Sequence, residues 1–497
     1  MSETNTHTEA PQPSAEADAH IDAELFDQFS AIEDKHVFEY FSGSNVARAE
    51  QKKALDAGEI TNPTLDYPKF DIAALRAKEA QFLDLKKQLL EDDTHPEALK
   101  QVYRWSINQR IAENRMVQEG ALAAQTDDAA DRERHMRRFE RYNEFLYGPQ
   151  NEAVFGFYAN EIRSRAENLL ESDDQRIVQV AKQVMDLFPD EYASDIDTSA
   201  ITNVETREEF RRIVLEEYGF DADRMAQFLE IEGDMSPEDL AEFMEAERAA
   251  HIPGSDEFEI FVDPESSTNT FNPVRRDIRV SSVKNNEPRT YTREDALKLN
   301  LHENRVHLER SARGYSSKLK LLGFGLDRNF KPEEGAAMFN ESAVDEEANL
   351  LHGWAGSVTV GIARGLHRER GEARQSARMD FGQTYAELQA IYAVIGLSEG
   401  KSFDEVEKTS SNDAWTRTVR TFRGTTCDAA GVVYQKDIGY GEGYLETHAF
   451  FAADQERLAL LKLGRFSATN ERHIQVLVDL EILDEDLARL AEDPAKV

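Results

Sequence analysis

The stretch from Leu299 to Arg310 reads LNLHENRVHLER, and it places two histidines, His302 and His307, around one glutamate, Glu303. In zinc peptidases, histidines on a helix bind the metal, and the glutamate after the first histidine acts as general base on the metal's water. The stretch therefore predicts a zinc site with His302 and His307 as ligands and Glu303 as the catalytic base. The simpler alternative is a pair of surface histidines on an ordinary helix.

The spacing between the two histidines is one residue too long for a regular α-helix. At about 100° per residue, positions i and i+4 lie roughly 40° apart around the helix axis, whereas i and i+5 lie roughly 140° apart. Two imidazoles at the wider angle cannot bind one ion. A π-bulge absorbs one extra residue in a turn and is frequent at functional sites. We therefore predict a helix distortion between Asn304 and His307.

A third ligand is expected downstream, where PEEGAA at residues 332–337 indicates the start of a helix. Proline suits the first position of a helix, and acidic residues suit its first turn. Glu334 is the predicted third ligand. Helix-dipole complementation is the alternative, and it would explain Glu333 as well. Glu341, about two turns further on, is the reserve candidate.

The rest of the chain predicts a predominantly helical α+β protein. Residues 1–20 are polar and acidic, which predicts a disordered tail. Apolar residues then recur at helical spacing, so residues 21–195 are predicted to form a helical N-terminal part and residues 196–497 a catalytic part. Two β-rich segments, 259–263 and 277–282, are expected to pair as a hairpin, and a further strand is expected at 431–435. Thr292 and Asp295 predict a capping box at the start of the metal-binding helix.

Composition excludes several functional classes. The chain has 497 residues, with 96 acidic and 58 basic side chains and a net charge of −38. This charge opposes binding to nucleic acid or to anionic lipid. No apolar run approaches the ~20 residues of a membrane-spanning helix, and the N-terminus lacks the pattern of a signal peptide. One cysteine, Cys427, permits no intramolecular disulfide and no cysteine-rich zinc site, so the expected compartment is the cytoplasm.

Several sequence blocks resemble one family, the HExxxH metallopeptidases that include the microtubule-associated tyrosine carboxypeptidase and the bacterial QEGLA-motif proteins, known as flavohaemoglobin expression modulators. The blocks occur in the family's order and are LNLHENRVHLER at 299–310, EEGAA at 333–337, ARMDF at 377–381, RGT at 423–425 and KDIGYGEG at 436–443. The similarity spans most of residues 25–465. The chain departs from the family pattern at Asn304, Arg305 and Val306, and at Ala336, where leucine is common.

The resemblance implies a zincin-like peptidase core and a zinc carboxypeptidase that removes one residue from the C-terminus of a peptide or protein. A preference for a C-terminal tyrosine is not carried over. Such an enzyme must bind the free carboxylate of its substrate, a task suited to the guanidinium group. Arg378 and Arg423 lie in matched blocks and are the favoured candidates, followed by Arg310. For each arginine the alternative is an ordinary salt bridge.

Tyr440 follows the predicted strand in a glycine-rich turn, where its hydroxyl could stabilise the oxyanion of a tetrahedral intermediate. Its alternative is the packing of a turn aromatic. No G-x-S-x-G motif and no Walker lysine accompany these residues. The rival hypothesis for the whole chain is a binding or regulatory protein that kept the peptidase fold without turnover. In that case Arg305 or a loop would occupy the open position beside the metal.

Overall fold

The computed structural model describes residues 20–32, 40–41, 43–67, 70–220, 222–264, 266, 268–284, 287–345, 347–453, 455–484 and 487–488. The protein is 65% helical with a small three-stranded sheet, which confirms the predicted helical α+β class. Apart from His20, the predicted disordered tail lies outside the described residues. None of the helices in the described ranges is long and apolar enough to cross a membrane.

The N-terminal half is a series of helices. They are α1 (Ala23–Ile32), α2 (Asn45–Asp56), α3 (Ile72–Glu91), α4 (Glu97–Gln125), α5 (Ala129–Tyr147), α6 (Glu152–Leu169), α7 (Gln175–Leu187), α8 (Ser199–Thr202), α9 (Val204–Glu217), α10 (Ala222–Leu229) and α11 (Pro237–His251). The chain leaves α5 at Gly148, whose φ of 80° favours glycine, and re-enters a helix at Asn151, whose side chain accepts hydrogen bonds from the first turn of α6.

The second half begins with short strands and continues with helices. The strands are β1 (Glu259–Asp263), β2 (Thr270–Asn272), β3 (Asp277–Ser281), β4 (Val283–Lys284) and β5 (Glu287–Pro288). The helices are α12 (Arg293–Leu299), a π-helix (Asn300–Leu308), α13 (Glu309–Ser316), α14 (Leu321–Phe324), α15 (Phe330–Ser342), α16 (Trp354–Ala363), α17 (Glu372–Ser376), α18 (Phe381–Ser398), α19 (Phe403–Thr421), α20 (Ile438–Ala453), α21 (Leu458–Leu461) and α22 (Glu471–Asp479), with 3₁₀ turns at Gln435–Asp437 and Gln455–Arg457.

The predicted hairpin is wrong, although both of its segments are strands. β1 pairs with β3 in parallel, and the short strand β2 pairs with β3 antiparallel, so the sheet order is β1-β3-β2. The chain turns back through β2 before it enters β3, and β2 therefore takes the antiparallel side of β3.

The strand predicted at 431–435 is also wrong: the amide of Tyr434 donates to the carbonyl oxygen of Thr421 at the end of a helix, and a side chain satisfies two further backbone groups. Asn143 donates to the carbonyl oxygen of Val433 at 2.9 Å and accepts from the amide of Gln435 at 3.0 Å. These bonds replace a strand partner, and the segment runs directly into the 3₁₀ turn before α20.

The hydrophobic core joins the two halves of the chain. One buried cluster contains Phe29 of α1 and Phe82 of α3 together with Leu301 and Val306 of the π-helix. The N-terminal helices thus pack against the segment that carries the two histidines. The division of the chain at residue 195 stays a prediction.

Candidate metal centre

The helix that carries the two histidines contains a π-helix from Asn300 to Leu308, which confirms the predicted distortion. It follows α12, which starts with the predicted capping box of Thr292 and Asp295. The wider π-helical turn brings the ring centres of His302 and His307 to a distance of 4.9 Å, and the two ring planes meet at an angle of 79°. Two residues five positions apart thereby face the same point.

Glu334 of α15 completes a group of three potential ligands. One carboxylate oxygen, Oε2, lies 3.6 Å from Nε2 of His302 and 3.7 Å from Nε2 of His307. This oxygen is buried and has no hydrogen-bond partner among the described residues. Zinc–ligand distances of about 2.0–2.1 Å place tetrahedral ligands roughly 3.3–3.5 Å apart, close to these separations. The three residues therefore fit a divalent metal ion such as zinc.

The Nδ1 atom of each imidazole lies near a second carboxylate. Nδ1 of His302 lies 3.5 Å from Glu341, and Nδ1 of His307 lies 3.1 Å from Glu333. Glu341, the reserve ligand, therefore lies on the opposite side of the His302 ring from Glu334. The helix carrying these three glutamates begins at Phe330, two residues before the predicted start at Pro332.

Charge complementarity shifts the pKa values of this cluster. Burial lowers the pKa of His302, but Glu341 and Glu334 raise it more, and the net result is well above the usual range. Burial raises the pKa of Glu334, but the imidazoles of His302 and His307, 3.6 and 3.7 Å away, lower it more, to well below its usual range. In the same way, Arg310 and Arg465 outweigh burial and lower the pKa of Glu333 to about 2. The carboxylates of Glu333 and Glu334 are thus anionic, as metal binding requires, and a bound metal ion would replace the proton of His302.

Glu303 faces the same cavity as the histidines. Its carboxylate is buried, and Oε2 has no hydrogen-bond partner in the described part of the chain. The next two residues point elsewhere: Asn304 donates to the carbonyl oxygen of Met244 at 2.9 Å, and the Arg305 guanidinium lies 4.8 Å from the ring centre of Tyr218. The residues that depart from the family pattern therefore leave the cavity open.

The cavity has a volume of about 350 Å³. Its charged lining is predominantly basic although the chain as a whole is acidic. The acidic residues of the lining are Glu113, Glu303 and Glu334, and the basic ones, other than histidine, are Arg48, Arg110, Arg328, Arg420, Arg423, Lys436 and Arg465. Such a lining favours an anionic group near the candidate metal centre.

Of the three arginines predicted to bind substrate, only Arg423 lines the cavity. No ion pair to Arg423 is found within the described residues, and its buried Nε lacks a hydrogen-bond partner there. Burial and the neighbouring Arg420 lower the pKa of Arg423 to about 10. The nearby carboxylate of Asp437 is already paired with Arg417 and Arg420, so the Arg423 guanidinium suits a carboxylate supplied by a ligand.

The structure does not bring Arg310 and Arg378 to the cavity wall. Arg310 forms an ion pair with Glu333 at 2.7 Å and donates to the carbonyl oxygens of Gly464 and Phe466. Arg378 lies 3.5 Å from Glu140. Both guanidinium groups face carboxylates of the protein itself, which is the ordinary salt-bridge alternative.

Tyr440 lines the cavity but lies in helix α20 and not in a turn. The glycines around it serve close helix packing, because a Cβ on Gly443 would overlap the backbone of α15. The guanidinium of Arg420 lies 5.6 Å from the Tyr440 ring centre.

Lys436 is a residue of the cavity that the sequence did not single out. Its Nζ lies 4.0 Å from Oε1 of Glu334, and burial lowers its pKa to about 8. Its place in the KDIGYGEG block was the available signal.

The fold and the cavity define a predominantly helical α+β protein with a candidate metal centre in a basic pocket. Residues 391–488 match a family model described as microtubule-associated tyrosine carboxypeptidase. No curated protein and no solved structure matches the chain. The matched segment contains Arg423 and Tyr440, whereas the two histidines and Glu334 precede it.

Proposed function

We propose that this chain is a zinc-dependent carboxypeptidase of the cytoplasm that removes one residue from the C-terminus of a peptide or protein. The observation that carries the proposal is the convergence of His302, His307 and Glu334 on one point beside the carboxylate of Glu303. The family model matched by residues 391–488 is itself named for a carboxypeptidase. The basic cavity supports a substrate with a free carboxylate.

His302, His307 and Glu334 would hold the metal. Zinc in such a site activates a water molecule and polarises a carbonyl group. Glu303 accepts the proton of the attacking water and later donates it to the leaving amine. Its carboxylate, free of hydrogen bonds at Oε2 among the described residues, is available for this transfer.

Two further residues orient the substrate in this proposal. Arg423 binds the terminal carboxylate, because its guanidinium is buried in the cavity wall with no ion-pair partner in the described ranges. Tyr440 donates a hydrogen bond to the oxygen of the scissile carbonyl as charge develops there. The proposal therefore assigns binding, base catalysis and oxyanion stabilisation to separate side chains around one cavity.

An inert peptidase-fold binding protein is the alternative. It would be favoured by a loop, or by the Arg305 side chain, in the open position beside the metal. That side chain instead packs over Tyr218 and lies 3.7 Å from Glu309. The active enzyme is therefore the better supported hypothesis.

The decisive experiment combines metal analysis of the purified protein with mass spectrometry of peptides that vary in their C-terminal residue. We expect about one zinc per chain and products shortened by one residue. The control is Glu303→Gln, which keeps the shape of the side chain but removes the base. It should retain zinc and lose activity by about 10²- to 10⁴-fold. Equal product from both proteins would overturn the mechanism.

A further inference from the structure

The second nitrogen of each candidate ligand histidine faces its own carboxylate. Nδ1 of His307 lies 3.1 Å from Oε1 of Glu333, and Nδ1 of His302 lies 3.5 Å from Oε1 of Glu341. In both rings it is the opposite nitrogen, Nε2, that faces Glu334. Both histidines thus turn the same ring nitrogen to a carboxylate, through a hydrogen bond at His307 and a longer contact at His302.

All three glutamates come from helix α15. Glu334 and Glu341 are seven residues apart, so they lie two turns apart on nearly the same face of the helix. Glu333 flanks this face and is itself buried. Helix α15 thus carries the candidate ligand Glu334 together with two further carboxylates. Each of these two faces the Nδ1 atom of one candidate ligand histidine.

The carboxylate of Glu333 is fixed by two arginines. Arg310 lies 2.7 Å from one oxygen, and Arg465 donates to the other at 3.0 Å. Arg310 is anchored in turn by its bonds to the carbonyl oxygens of Gly464 and Phe466. These contacts favour the orientation in which the Glu333 carboxylate faces His307.

The carboxylate of Glu341 faces a second imidazole instead of arginines. Its Oε2 lies 3.6 Å from Nε2 of His352, while its Oε1 faces His302. The His352 ring packs 4.8 Å from the ring of Tyr444. Glu341 therefore bridges a candidate ligand and a histidine outside the ligand set.

We propose that Glu333 and Glu341 are positioning residues that accept a hydrogen bond from Nδ1 of His307 and His302 and so turn both Nε2 atoms toward the metal. This inference rests on the proposed metal site. Carboxylates that hold ligand histidines in this way orient the ring, fix its tautomer and increase its basicity as a ligand. Ordinary ion pairs would contribute to folding but would not change metal affinity.

Glu341→Gln is the sharper test, because Glu341 lacks the two arginines that surround Glu333. We expect zinc affinity, measured by competition with a chelator of known affinity, to fall by about 10- to 100-fold. The matched control is Glu446→Gln, which removes an exposed carboxylate that contacts Lys331 of α15 and, among the described residues, no imidazole. The control should bind zinc like the wild type. Thermal unfolding and circular dichroism of the metal-free proteins would check that all variants fold.

A second variant, His352→Gln, tests the bridge without altering the carboxylate. It should weaken zinc binding by a smaller factor than Glu341→Gln, and the visible spectrum of the cobalt-substituted protein should change in both. Wild-type affinity and an unchanged cobalt spectrum in Glu341→Gln would overturn the positioning role while leaving the metal site intact. A wild-type protein that binds no metal would overturn the proposed function together with this inference.

Discussion

Gly335 of α15 lies directly against Gly443 of α20, and a Cβ on Gly335 would overlap the backbone of Gly443. The contact lies one residue after Glu334, the predicted third ligand. Two helices can approach this closely only where neither carries a side chain. The glycine pair therefore sets how closely α15 packs against α20 at the position of Glu334.

Replacing Gly335 by alanine should disturb both stability and metal binding. The added methyl group has backbone in its path and no flexible side chain to displace, so α15 must move. Overpacking of this kind costs about 1–3 kcal/mol. We expect a lower melting temperature and a zinc content well below one per chain, measured by calorimetry and by elemental analysis.

Gly396→Ala in α18 is the control for this effect. The added Cβ would crowd a methyl group of Val406, in a cluster away from the candidate metal centre. This variant should lose stability but retain zinc. If Gly335→Ala also retains full zinc content, the glycine contact does not set the position of Glu334.

The distorted helix was predictable because it follows from local geometry. Two ligands at i and i+5 cannot meet on a regular α-helix, so a shared site requires an extra residue in the turn. The capping box at Thr292 was predictable for the same reason, since both of its partners lie within one turn. Glu334 was the selected third acid, and it is the one that faces both Nε2 atoms.

Features that depend on distant partners were not predictable. The glycines around Tyr440 suggested a turn, but they lie in a helix, where Gly443 allows α20 to pack closely against α15. The parallel pairing of β1 with β3 depends on where β2 places the chain. Arg310 and Arg423 look alike in the sequence, and only the fold shows that Glu333 accompanies the first. The ion-pair partner of an arginine cannot be deduced from the residues next to it in the sequence.

Tyr440→Phe should reduce turnover without changing metal content. The variant keeps the aromatic ring that packs near Phe330 and Arg420, and it loses only the hydroxyl. Loss of one oxyanion donor typically lowers kcat by about 10²- to 10³-fold. Steady-state kinetics on a peptide substrate would measure this change. Tyr444→Phe, one turn along α20 and outside the cavity lining, should keep wild-type kcat; an equal loss in both variants would remove Tyr440 from the mechanism.

His448 should make the protein less stable in mild acid. Its ring is buried against Phe210, Phe339 and Tyr444, and burial lowers its pKa to about 3. An unfolded histidine has a pKa of about 6.5, so below that pH the unfolded chain binds a proton that the folded protein does not. The stabilisation is complete above pH ~6.5 and is lost as the pH falls toward 3, by about 2 kcal/mol at pH 5.

The measurement is the decrease in melting temperature between pH 7 and pH 5. His448→Gln, which cannot titrate, should show a smaller decrease than the wild type. A decrease in His448→Gln as large as that of the wild type would contradict the prediction.

Arg423→Gln should weaken recognition of the substrate's terminal carboxylate, whereas Arg378→Gln should not. Arg423 lines the cavity without an ion-pair partner in the described residues, and Arg378 faces Glu140 outside it. Loss of one partner of a buried charge pair costs about 2–5 kcal/mol, which corresponds to at least ~30-fold in kcat/KM. The wild type should strongly prefer a peptide with a free C-terminus over its amidated form, and Arg423→Gln should lose most of that preference. If it keeps the wild-type ratio between the two peptides, another cation of the cavity wall binds the carboxylate.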